Sequence, residues 1–512
     1  MIGKKSPSLY VLIVVLAFIL IALAVFTSLD SIEKALRFNL TIGILAIGSM
    51  AFIAYFWLNG TKDVVYTLWY HLWMKHENPS NLVPCRAATA APRVTMVYCT
   101  RNDFNPTSLA ASLFQDFTNY KVVILDDSDK PDYMSAVDEF AREHGLEVIR
   151  RFDNIGFKAG NLNNYLRNRS DWDYFVILDS DEIIPRNFIE RILDYFAANQ
   201  AAGIVQANHI ATRNRNPFMK RFAIGVDSHW QSYQTVKDRH GFMSLLGHGA
   251  MVSRECYEAA GGFPHVVAED ICLSIEARSK GYVTAFAADV ICEEEYPVDY
   301  LAFKKRHSKW TQGNMEFIRS YTRVILRSNM TWYEKLDIIL FTYSLPLTAL
   351  FSLYVVINVI VFPAVGYTFK LPLWMLVPTL LFLVAPMLND ILFYAGKMKF
   401  RSLMAYLGQS TLLYGSMFFV SLRASLTSMF GKSTFIVTPK EDTTVSFTEA
   451  IWLNKAELSF GILFSAIAIW LDHSVLPVIL IVIPAFSAIY LSVSHHKRKP
   501  SHVEPRRKRV NA

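Results

Sequence analysis

Charged residues and cysteines are both scarce in this sequence, and each scarcity argues against a class of protein. Only 19% of the 512 residues are charged and 52% are hydrophobic, whereas soluble domains carry about 25% charged residues. The composition therefore excludes a wholly soluble globular chain and predicts membrane segments. The five cysteines are odd in number and form no Cys-x-x-Cys pair, which favours reduced cytosolic thiols over a disulfide scaffold or a zinc motif.

Long uncharged runs account for the missing charge. Leu9–Leu29 and Phe38–Leu58 each contain 21 uncharged residues, enough to cross ~30 Å of hydrocarbon as a helix. The first run has no small-residue cleavage motif, so we expect a retained span rather than a cleaved signal. Four later stretches continue the pattern, namely Ile338–Phe369, Leu371–Leu388, Leu458–Leu471 and Ser474–Ser494. Together the runs predict about six membrane spans.

One of these stretches and one further uncharged stretch are ambiguous. Ile338–Phe369 contains Pro346 and Pro363, which indicate one long or kinked span. Ser402–Leu422 is also long enough to cross, but Gly408, Gln409 and Ser410 weaken its apolar character. We expect this stretch to lie along the membrane interface or to enter the membrane and return.

Basic residues flank the outermost spans. Lys4 and Lys5 precede the first run, and residues 495–512 carry a cluster of lysine and arginine after the last. The positive-inside rule therefore predicts that both termini are cytoplasmic. Because the basic tail adjoins a membrane span, an anionic lipid surface is a better partner for it than nucleic acid.

Between the two sets of spans, residues 93–330 have the composition of a soluble α/β domain. Strands are predicted over Val94–Cys99, Lys121–Leu125 and Glu147–Arg150, and helices over Ser108–Phe117 and Ala136–Gly145. This alternation predicts a largely parallel sheet with helical crossovers. Residues 61–92 form a connector whose tryptophan and tyrosine residues suit the membrane interface.

Acidic residues follow two of the predicted strands. The apolar run Tyr174–Leu178 leads into Asp179, Asp181 and Glu182, and the second strand ends at Asp126-Asp127. Ligands of open α/β sheets bind at the carboxyl ends of strands, and carboxylate oxygens suit a divalent cation and the phosphates it carries. The alternative is that these acids only end a strand and cap the helix that Pro185 begins.

Further motifs resemble those of a known family. They are Lys158-Ala159-Gly160-Asn161-Leu162-Asn163, Gly249-Ala250-Met251-Val252, Gly261-Gly262-Phe263-Pro264 and Ala268-Glu269-Asp270. With the acidic strand ends, they resemble the catalytic domain of glycosyltransferase family 2, which has the nucleotide-diphospho-sugar transferase (GT-A) fold. Within that family the chain is most similar to membrane-embedded polysaccharide synthases such as bacterial cellulose synthase.

The resemblance implies a domain plan. It implies two N-terminal membrane helices over 1–60, the connector 61–92 and a cytoplasmic GT-A domain over 93–330 with an interface helix near 301–330. Membrane spans then follow over 331–494, interrupted by a cytoplasmic gating loop at 431–442, and 495–512 forms the basic tail.

The resemblance also implies a role for individual residues. Asp270 would be the catalytic base, and Asp181 with Asp179 would hold Mg²⁺ or Mn²⁺. Trp310 and Glu269 would contact the acceptor, and Arg306 and Lys309 the diphosphate. The implied donor-binding residues are Thr100, Asp103, Asp127, Lys158, Asp179 and Asp181, joined by Phe435, Val437, Thr438 and Lys440 of the gating loop.

The chain departs from the family pattern in two places. Cys99-Thr100-Arg101-Asn102-Asp103 stands where the family has Pro-Thr-Tyr-Asn-Glu, which removes a stacking tyrosine from the nucleotide site. Arg306 and Lys309 replace the glutamine and arginine of Gln-x-x-Arg-Trp, while Trp310 remains. The latter segment is also compatible with a basic, aromatic membrane anchor.

Structural alternatives remain for several of these residues. For Lys158 the alternative is a glycine turn that opens a helix, and for Glu269 and Asp270 it is that they cap a helix that begins at Ile271. The sequence shows no metal-ligand spacing around His209, His248 or His307, so we interpret these histidines as ordinary polar residues.

The main functional hypothesis is an inverting enzyme that polymerises a sugar from a nucleotide-diphosphate donor, expected to be UDP-linked. The product would be a β-linked polysaccharide, secreted across the cell membrane with accessory subunits. The alternative is a membrane enzyme that adds one sugar to a lipid-linked acceptor. A transporter or receptor with a degenerate sugar-sensing domain is disfavoured, because both carboxylate motifs needed for catalysis are present.

Overall fold

The computed structural model describes residues 6–75, 91–214, 216–430 and 445–493. The predicted gating loop 431–442 and the basic tail 495–512 lie outside these residues, as do residues 76–90 of the connector. The described chain comprises an N-terminal helical hairpin, an α/β domain and a C-terminal group of helices.

Two long helices form the N-terminal hairpin. Helix α1 covers Ser8–Phe38 and α2 covers Leu40–Trp69, continued by a π-helical segment Tyr70–Met74. The helices are separated by extended Asn39, whose side chain accepts from the Thr41 N–H at 2.8 Å. Both predicted N-terminal runs are therefore helical, and the second helix continues into the predicted connector.

The α/β domain contains a mixed seven-stranded sheet. The strands are β1 Val94–Thr100, β2 Tyr120–Asp126, β3 Glu147–Ile149, β4 Tyr174–Asp179, β5 Ala202–Ala211, β6 Ala250–Ser253 and β7 Val283–Glu294. Their order is β3-β2-β1-β4-β6-β5-β7. The strands β3, β2, β1 and β4 are parallel to one another, as β5 is to β7, whereas β6 is antiparallel to both of its neighbours. The predicted α/β class and largely parallel sheet are confirmed.

Helices cover both faces of this sheet. They are α3 Pro106–Ser112, α4 Pro131–His144, α5 Phe157–Arg167, α6 Phe188–Ala198, α7 Pro217–His240, α8 Arg254–Ala260, α9 Glu269–Ser279 and α10 Tyr300–Arg327. Alternate residues of β1 show the two layers: Met96 packs with the cluster that includes α4 and α6, and Val97 packs with the cluster that includes α5 and α8. Successive side chains of a strand point to opposite faces, so a strand buried on both sides is apolar throughout.

Several helix boundaries differ from the predicted ones, and α4, for example, begins at Pro131 rather than Ala136. Helix α3 begins earlier because Asn105 accepts from the Ser108 N–H at 3.2 Å. It ends earlier because the Gln115 N–H donates to the Tyr120 hydroxyl. Pro185 does not open α6, which starts at Phe188 after a turn in which the Phe188 N–H donates to the Pro185 carbonyl.

The start of α9 also differs from the prediction. The predicted helix begins at Ile271 with Glu269 and Asp270 as caps, but α9 includes both acids in its first turn and its N-cap is Ala268. The position remains favourable for carboxylates, because the helix dipole stabilises negative charge in the first turn.

The C-terminal helices are shorter and more broken. They are α11 Trp332–Thr342, α12 Leu347–Val355 with a π-helical segment Val356–Val361, α13 Phe362–Ala364, α14 Leu376–Tyr394, α15 Phe400–Phe430, α16 Phe447–Leu453, α17 Lys455–Asp472 and α18 Ile479–Val493. The predicted run Ile338–Phe369 is interrupted between α11 and α12, next to Pro346, whose missing N–H cannot continue a helix.

The number of membrane spans remains below the predicted six in the part of the chain that is described. Three helical segments there are long and apolar enough to cross a membrane, namely Ser8–Phe38, Leu40–Met74 and Leu373–Tyr394. A fourth is added if α16 and α17, bent by 73°, count as one span. Ala349–Ala364 and Ile479–Val493 are apolar but shorter.

The stretch Ser402–Leu422 lies inside α15, which is one continuous helix. The alternative in which this stretch enters the membrane and returns is therefore wrong. The physical reason is that 400–430 contains no proline, so nothing in the backbone interrupts the helical hydrogen bonds.

Two helices connect the α/β domain to the helices outside it, namely to the N-terminal hairpin and to the C-terminal group. Helix α7 packs on β5 and β7 and also contacts α2 and α14. Helix α10 packs along α15 and contacts α18. Helix α7 thus links the sheet to α2 and α14, two of the helices that are apolar enough to cross a membrane.

Candidate active site

The ends of β1 and β4 are joined by hydrogen bonds between polar side chains. Asp103 accepts from the Thr100 hydroxyl at 3.0 Å and from the Ser180 hydroxyl at 2.8 Å. Because β1 and β4 are parallel neighbours, residues that follow them emerge at the same edge. The predicted donor residues Thr100 and Asp103 therefore lie beside the Asp179-Ser180-Asp181 turn.

Asp127, at the end of β2, is held by an arginine that the sequence did not single out. Arg151 donates to its two carboxylate oxygens at 2.9 and 2.6 Å, and both side chains are largely buried. Arg151 also donates to the carbonyls of Ile155 and Phe157 at 2.6 and 2.7 Å. Asp127 thereby fixes the loop that leads to Lys158.

Lys158, in the first turn of α5, links two parts of the site. Its ammonium group donates to Asp179 and to the Gly247 carbonyl, the latter at 2.8 Å. Burial alone would lower the pKa of Lys158, but the nearby carboxylates, chiefly Asp179, raise it above its ordinary value. Lys158 thus stays cationic at the end of β4, where an anionic ligand would gain from its charge.

Asp181 faces a different set of partners. Its side chain accepts from the Glu295 backbone N–H at 3.3 Å, and its carbonyl accepts from Arg213 at 2.6 Å. Arg213 also forms an ion pair with Glu295 at 2.8 Å. Asp179 therefore contacts Lys158, whereas Asp181 contacts the end of β7.

A cavity of about 510 Å³ lies next to the Asp181 turn. It is lined by Asn105, Thr107, Arg213, Asn214 and Glu295. Arg213 connects this cavity to the backbone of Asp181 and adopts a left-handed conformation with φ of 49°. Such a conformation is uncommon outside glycine and marks residues held in place by several contacts.

Glu182 is fully buried, and its carboxylate accepts from the Asp179 N–H at 3.4 Å. Its carboxylate lies 2.9 Å from His209 Nε2 and 3.0 Å from His248 Nδ1. His248 Nε2 lies 3.0 Å from Glu294. The interpretation of His209 and His248 as ordinary polar residues missed this cluster, because its members come from a turn, a strand and a loop with no regular spacing.

Glu269 and Asp270 form an acidic pair in the first turn of α9. Burial and the Asp270 charge raise the pKa of Glu269 to about 7, while Lys158 opposes this shift. Burial also raises the pKa of Asp270, against the Ile271 N–H that donates to it at 2.8 Å. Both carboxyls therefore have a higher proton affinity than ordinary acids, as suits groups that accept a proton near neutral pH.

Helix α10 brings a basic and aromatic group to the same region. Arg306 and Trp310 are four residues apart and lie on one face, with the guanidinium 4.3 Å from the Trp310 ring centroid. Trp310 keeps 44% of its surface exposed. Burial lowers the pKa of Lys309 to about 8, opposed mainly by the Glu269 carboxylate, so Lys309 lies within electrostatic reach of the acidic pair.

The four gating-loop residues Phe435, Val437, Thr438 and Lys440 lie outside the described residues. The other predicted site residues come from β1, β2, α5, the β4 turn, α9 and α10. Contacts join Thr100 to Asp103 and Lys158 to Asp179, and electrostatic interactions extend from Lys158 to Glu269 and Asp270.

Residues 174–389 match the family model described as "Glycosyl transferase family group 2". The matched range begins at β4, so it contains the Asp179 turn, both histidines of the buried cluster, the acidic pair of α9 and all of α10.

Three curated relatives are similar to the chain at low identity. β-Monoglucosyldiacylglycerol synthase of Synechocystis sp. is 25% identical over 238 residues, covering 45% of the chain and 49% of the relative. The cellulose synthase catalytic subunit (UDP-forming) of Komagataeibacter sucrofermentans is 27% identical over 207 residues, 39% of the chain and 27% of the relative. Probable glucomannan 4-beta-mannosyltransferase 11 of Arabidopsis thaliana is 26% identical over 229 residues, 43% of the chain and 52% of the relative. The chain thus matches about half or less of the length of each.

Among solved structures, the mannosyltransferase PcManGT from Pyrobaculum calidifontis in complex with GDP-Man and Mn²⁺ superposes with a TM-score of 0.45 at 20% identity. The superposition covers 75% of this chain and 99% of that one.

Proposed function

We propose that this chain, which carries a domain of glycosyl transferase family group 2, transfers a sugar from a nucleotide-diphosphate donor to an acceptor hydroxyl with inversion at the anomeric carbon. We assign the α/β domain to the GT-A type and expect a UDP-linked donor. The observation that carries this proposal is the position of Lys158. It contacts Asp179 at the proposed donor site and also Gly247, which lies beside the proposed base Asp270.

The proposed reaction is a single displacement. The acceptor oxygen attacks the anomeric carbon while its proton passes to the Asp270 carboxylate, and the bond from that carbon to the diphosphate oxygen breaks. The nucleotide diphosphate leaves with the bonding electrons. Lys158, and on α10 Arg306 and Lys309, supply positive charge that stabilises the leaving group.

The donor side also fits a divalent cation. Carboxylates are hard oxygen ligands suited to Mg²⁺ or Mn²⁺, and Asp179 and Asp181 flank a single residue at the end of β4. Asp179 is already paired with Lys158, so we assign Asp181 as the principal protein ligand. A bound cation would offset the charge of the diphosphate.

Replacing Asp270 tests the proposed base. In Asp270→Asn, turnover of the nucleotide sugar should fall by roughly 10²–10⁴-fold, because the amide cannot accept the acceptor proton. Nucleotide binding, measured by calorimetry, should remain within a few-fold of the parent. Asp289→Asn, at a partly exposed acid that pairs with Arg191, is the control. Undiminished turnover in Asp270→Asn would remove the base assignment.

Replacing Asp181 tests the proposed cation ligand. Asp181→Ala should abolish the part of nucleotide-diphosphate binding that depends on added Mg²⁺ or Mn²⁺, since the principal carboxylate ligand is gone. The measurement is a titration with and without the cation. If the two titrations differ as much in the variant as in the parent protein, Asp181 is not a ligand.

We further propose that the acceptor is a growing β-linked polysaccharide. The exposed ring of Trp310 supports this, because an aromatic face packs against the C–H surfaces of sugars. Addition of one sugar to a lipid-linked acceptor is the second candidate, supported by the similarity to a glycolipid synthase. Purified protein incubated with labelled nucleotide sugars and membrane lipid separates the two by product size. A product carrying one added sugar on extracted lipid would exclude the polymer.

We place the protein in the cell membrane as a multi-pass protein with its catalytic domain and both termini cytoplasmic. The apolar helices Ser8–Phe38, Leu40–Met74 and Leu373–Tyr394 support membrane insertion. The basic residues that flank the outermost runs support the orientation. For a secreted polymer, accessory subunits would receive the product. Protease accessibility of the α/β domain in sealed inside-out vesicles tests the orientation, which would be reversed if only right-side-out vesicles were cleaved.

A further inference from the structure

Behind the donor site lies a buried cluster of metal-ligating side chains that the proposed transfer reaction does not use. Glu182 and His209 have no exposed surface, and His248 is mostly buried. One ligand atom from each of the three lies within 4.8 Å of the others. The three residues come from the β4 turn, from β5 and from the loop before β6.

A fourth potential ligand faces the same cluster. Cys292 of β7 pairs with His209 of β5 in the ladder. Its thiol is fully buried on the same face of the sheet as its ladder partner His209. Two imidazoles, one carboxylate and one thiol are the donor atoms that protein zinc sites use.

We propose that Glu182, His209, His248 and Cys292 bind one divalent cation of the zinc class, separate from the cation at Asp181. This site goes beyond the proposed sugar transfer and does not depend on it. Its members join the β4 turn to β5, β7 and the 247–249 loop, so a bound ion would fix that loop between Lys158 and Asp270.

The surroundings of His248 match those of a metal-ligating histidine. Its Nδ1 points to Glu182, while its Nε2 lies 3.0 Å from Glu294. The Tyr296 hydroxyl donates to Glu294 in turn. Ligating histidines usually give their second ring nitrogen to a carboxylate, which sets the tautomer and the ring orientation. His209 is oriented instead by Trp230, whose ring centroid lies 4.4 Å away.

Charge and space at the cluster also favour a cation. Glu182 and Glu294 are two buried carboxylates that share His248 as a partner, and a divalent ion bound to Glu182 would add positive charge beside both. Space for the ligands depends on Gly249. A Cβ at this residue would lie 2.3 Å from both Glu182 and His209, so only glycine lets the loop approach the ligand atoms.

The site is separate from the proposed donor cation on geometric grounds. Both oxygens of Glu182 point to imidazoles, whereas Asp181 accepts from the backbone of Glu295. Loss of one cation should therefore leave the other in place, and metal content provides a measurement that is independent of sugar transfer.

The first experiment measures metal bound to the full chain purified in detergent without chelators, then dialysed against Zn²⁺ and desalted. Mass spectrometry of the metals should find about one zinc per chain in the parent protein and in Asp181→Asn. Glu182→Gln and His248→Gln should reduce this at least several-fold. Parent protein without stoichiometric zinc after this treatment would overturn the proposal and would assign His248 as a protonated partner of Glu182 and Glu294.

The second experiment uses the two buried cysteines as a matched pair and does not require the ligand variants to fold. Chain loaded with Co²⁺ should show thiolate-to-cobalt absorption, which Cys292→Ser should abolish and Cys256→Ser should retain. Cys256 is buried against the opposite face of the sheet. In the parent protein, a strong chelator should lower the thermal unfolding midpoint, and Zn²⁺ should restore it. Equal absorption in both cysteine variants would contradict the assigned thiol ligand.

Discussion

Lys158 is the residue that joins the two proposed chemical functions of the site. Its ammonium group donates to the Asp179 carboxylate and to the Gly247 carbonyl, and its charge lowers the proton affinity of Glu269 and Asp270. The same group therefore favours an anionic donor and keeps the proposed base unprotonated over a wider pH range.

This dual role predicts the pH dependence of turnover. A base must be unprotonated to work, so turnover should increase as pH rises through the raised pKa values of the acidic pair. The acidic limb should lie closer to neutral pH than the ordinary carboxyl pKa of about 4. Removing the cation in Lys158→Ala should raise both pKa values further and move the limb of the residual turnover to higher pH.

Lys121→Ala is the control for this prediction. Lys121 also pairs with an aspartate, Asp171, but on the outside of the domain. The acidic limb should stay unchanged in this variant. If the acidic limb of the pH profile of turnover stays in place in Lys158→Ala, or moves to lower pH, the assigned electrostatic role of Lys158 is contradicted.

The residues that sequence reasoning identified share a simple property. Thr100, Asp127 and Asp179 lie at or directly after the ends of β1, β2 and β4. Since these strands are parallel neighbours, their ends are brought together by the topology alone. The acidic strand ends indicated Asp127 and Asp179, whereas Thr100 came from the family resemblance, and the roles assigned to all three remain predictions.

The buried cluster could not be predicted in the same way. Glu182, His209 and His248 depend on the antiparallel insertion of β6 and on the left-handed backbone of Gly249, with φ of 59°. Neither feature leaves a periodic trace in the sequence. Arg151 and Arg213 were missed for a similar reason, because their partners are backbone carbonyls as well as acids.

At the scale of elements, helix α9, which carries the acidic pair, is joined by an ion pair to α11, the first helix of the C-terminal group. Arg278, in the last turn of α9, donates twice to Glu334 of α11, at 3.0 and 3.1 Å. Glu334 also accepts from Thr331 in a capping box that begins α11. The position of α9 is thus coupled to the start of the C-terminal helices through a carboxylate that is only 1% exposed.

Breaking this ion pair should destabilise the protein measurably. Arg278→Ala leaves the buried Glu334 charge without its cation, at a cost of about 3 kcal/mol. Arg37→Ala removes an exposed pair with Glu33 within one helix and should cost below about 0.5 kcal/mol. Thermal unfolding in detergent should show a clearly lower midpoint only for Arg278→Ala. Equal midpoints in the two variants would show that the buried pair contributes no more than an exposed one.

Element prediction succeeded where hydrophobic patterns were long and failed where tertiary contacts set the boundary. The first strands were placed within about two residues because each is an uninterrupted apolar run. The end of α3 was misplaced because a tertiary contact with the Tyr120 hydroxyl takes up the Gln115 N–H. The continuity of α15 was misjudged because its glycine and serine residues weaken its hydropathy without breaking the helix.

At the scale of the whole molecule, the apolar helices α2 and α14 pack closely at a small residue. Gly60 of α2 lies against Phe382 of α14, where an added Cβ would lie 2.3 Å from the Phe382 Cβ. Helices in lipid lack a hydrophobic driving force for association, so in a membrane such close approach would provide much of the association energy.

Two glycines of α2 allow this packing to be tested. Gly60→Ala should destabilise the protein by about 1–3 kcal/mol through overpacking. Gly48→Ala has nothing within 4 Å of the new Cβ and should be neutral or slightly stabilising, since alanine is the better helix former by up to about 1 kcal/mol. The unfolding midpoint in detergent should therefore fall for Gly60→Ala and should stay unchanged or rise slightly for Gly48→Ala. A matching change in both would contradict close α2–α14 packing.

The position of β6 has a consequence for synthesis of the chain. Strand β4 pairs with β1 along one edge. Its other edge pairs with β6, where Ser253 lies opposite Tyr174. Until residue 253 has been synthesised, the nascent sheet has an open β4 edge. An open edge is a template for pairing with other chains. The speed of translation between β4 and β6 therefore sets the time during which the nascent protein is prone to aggregation.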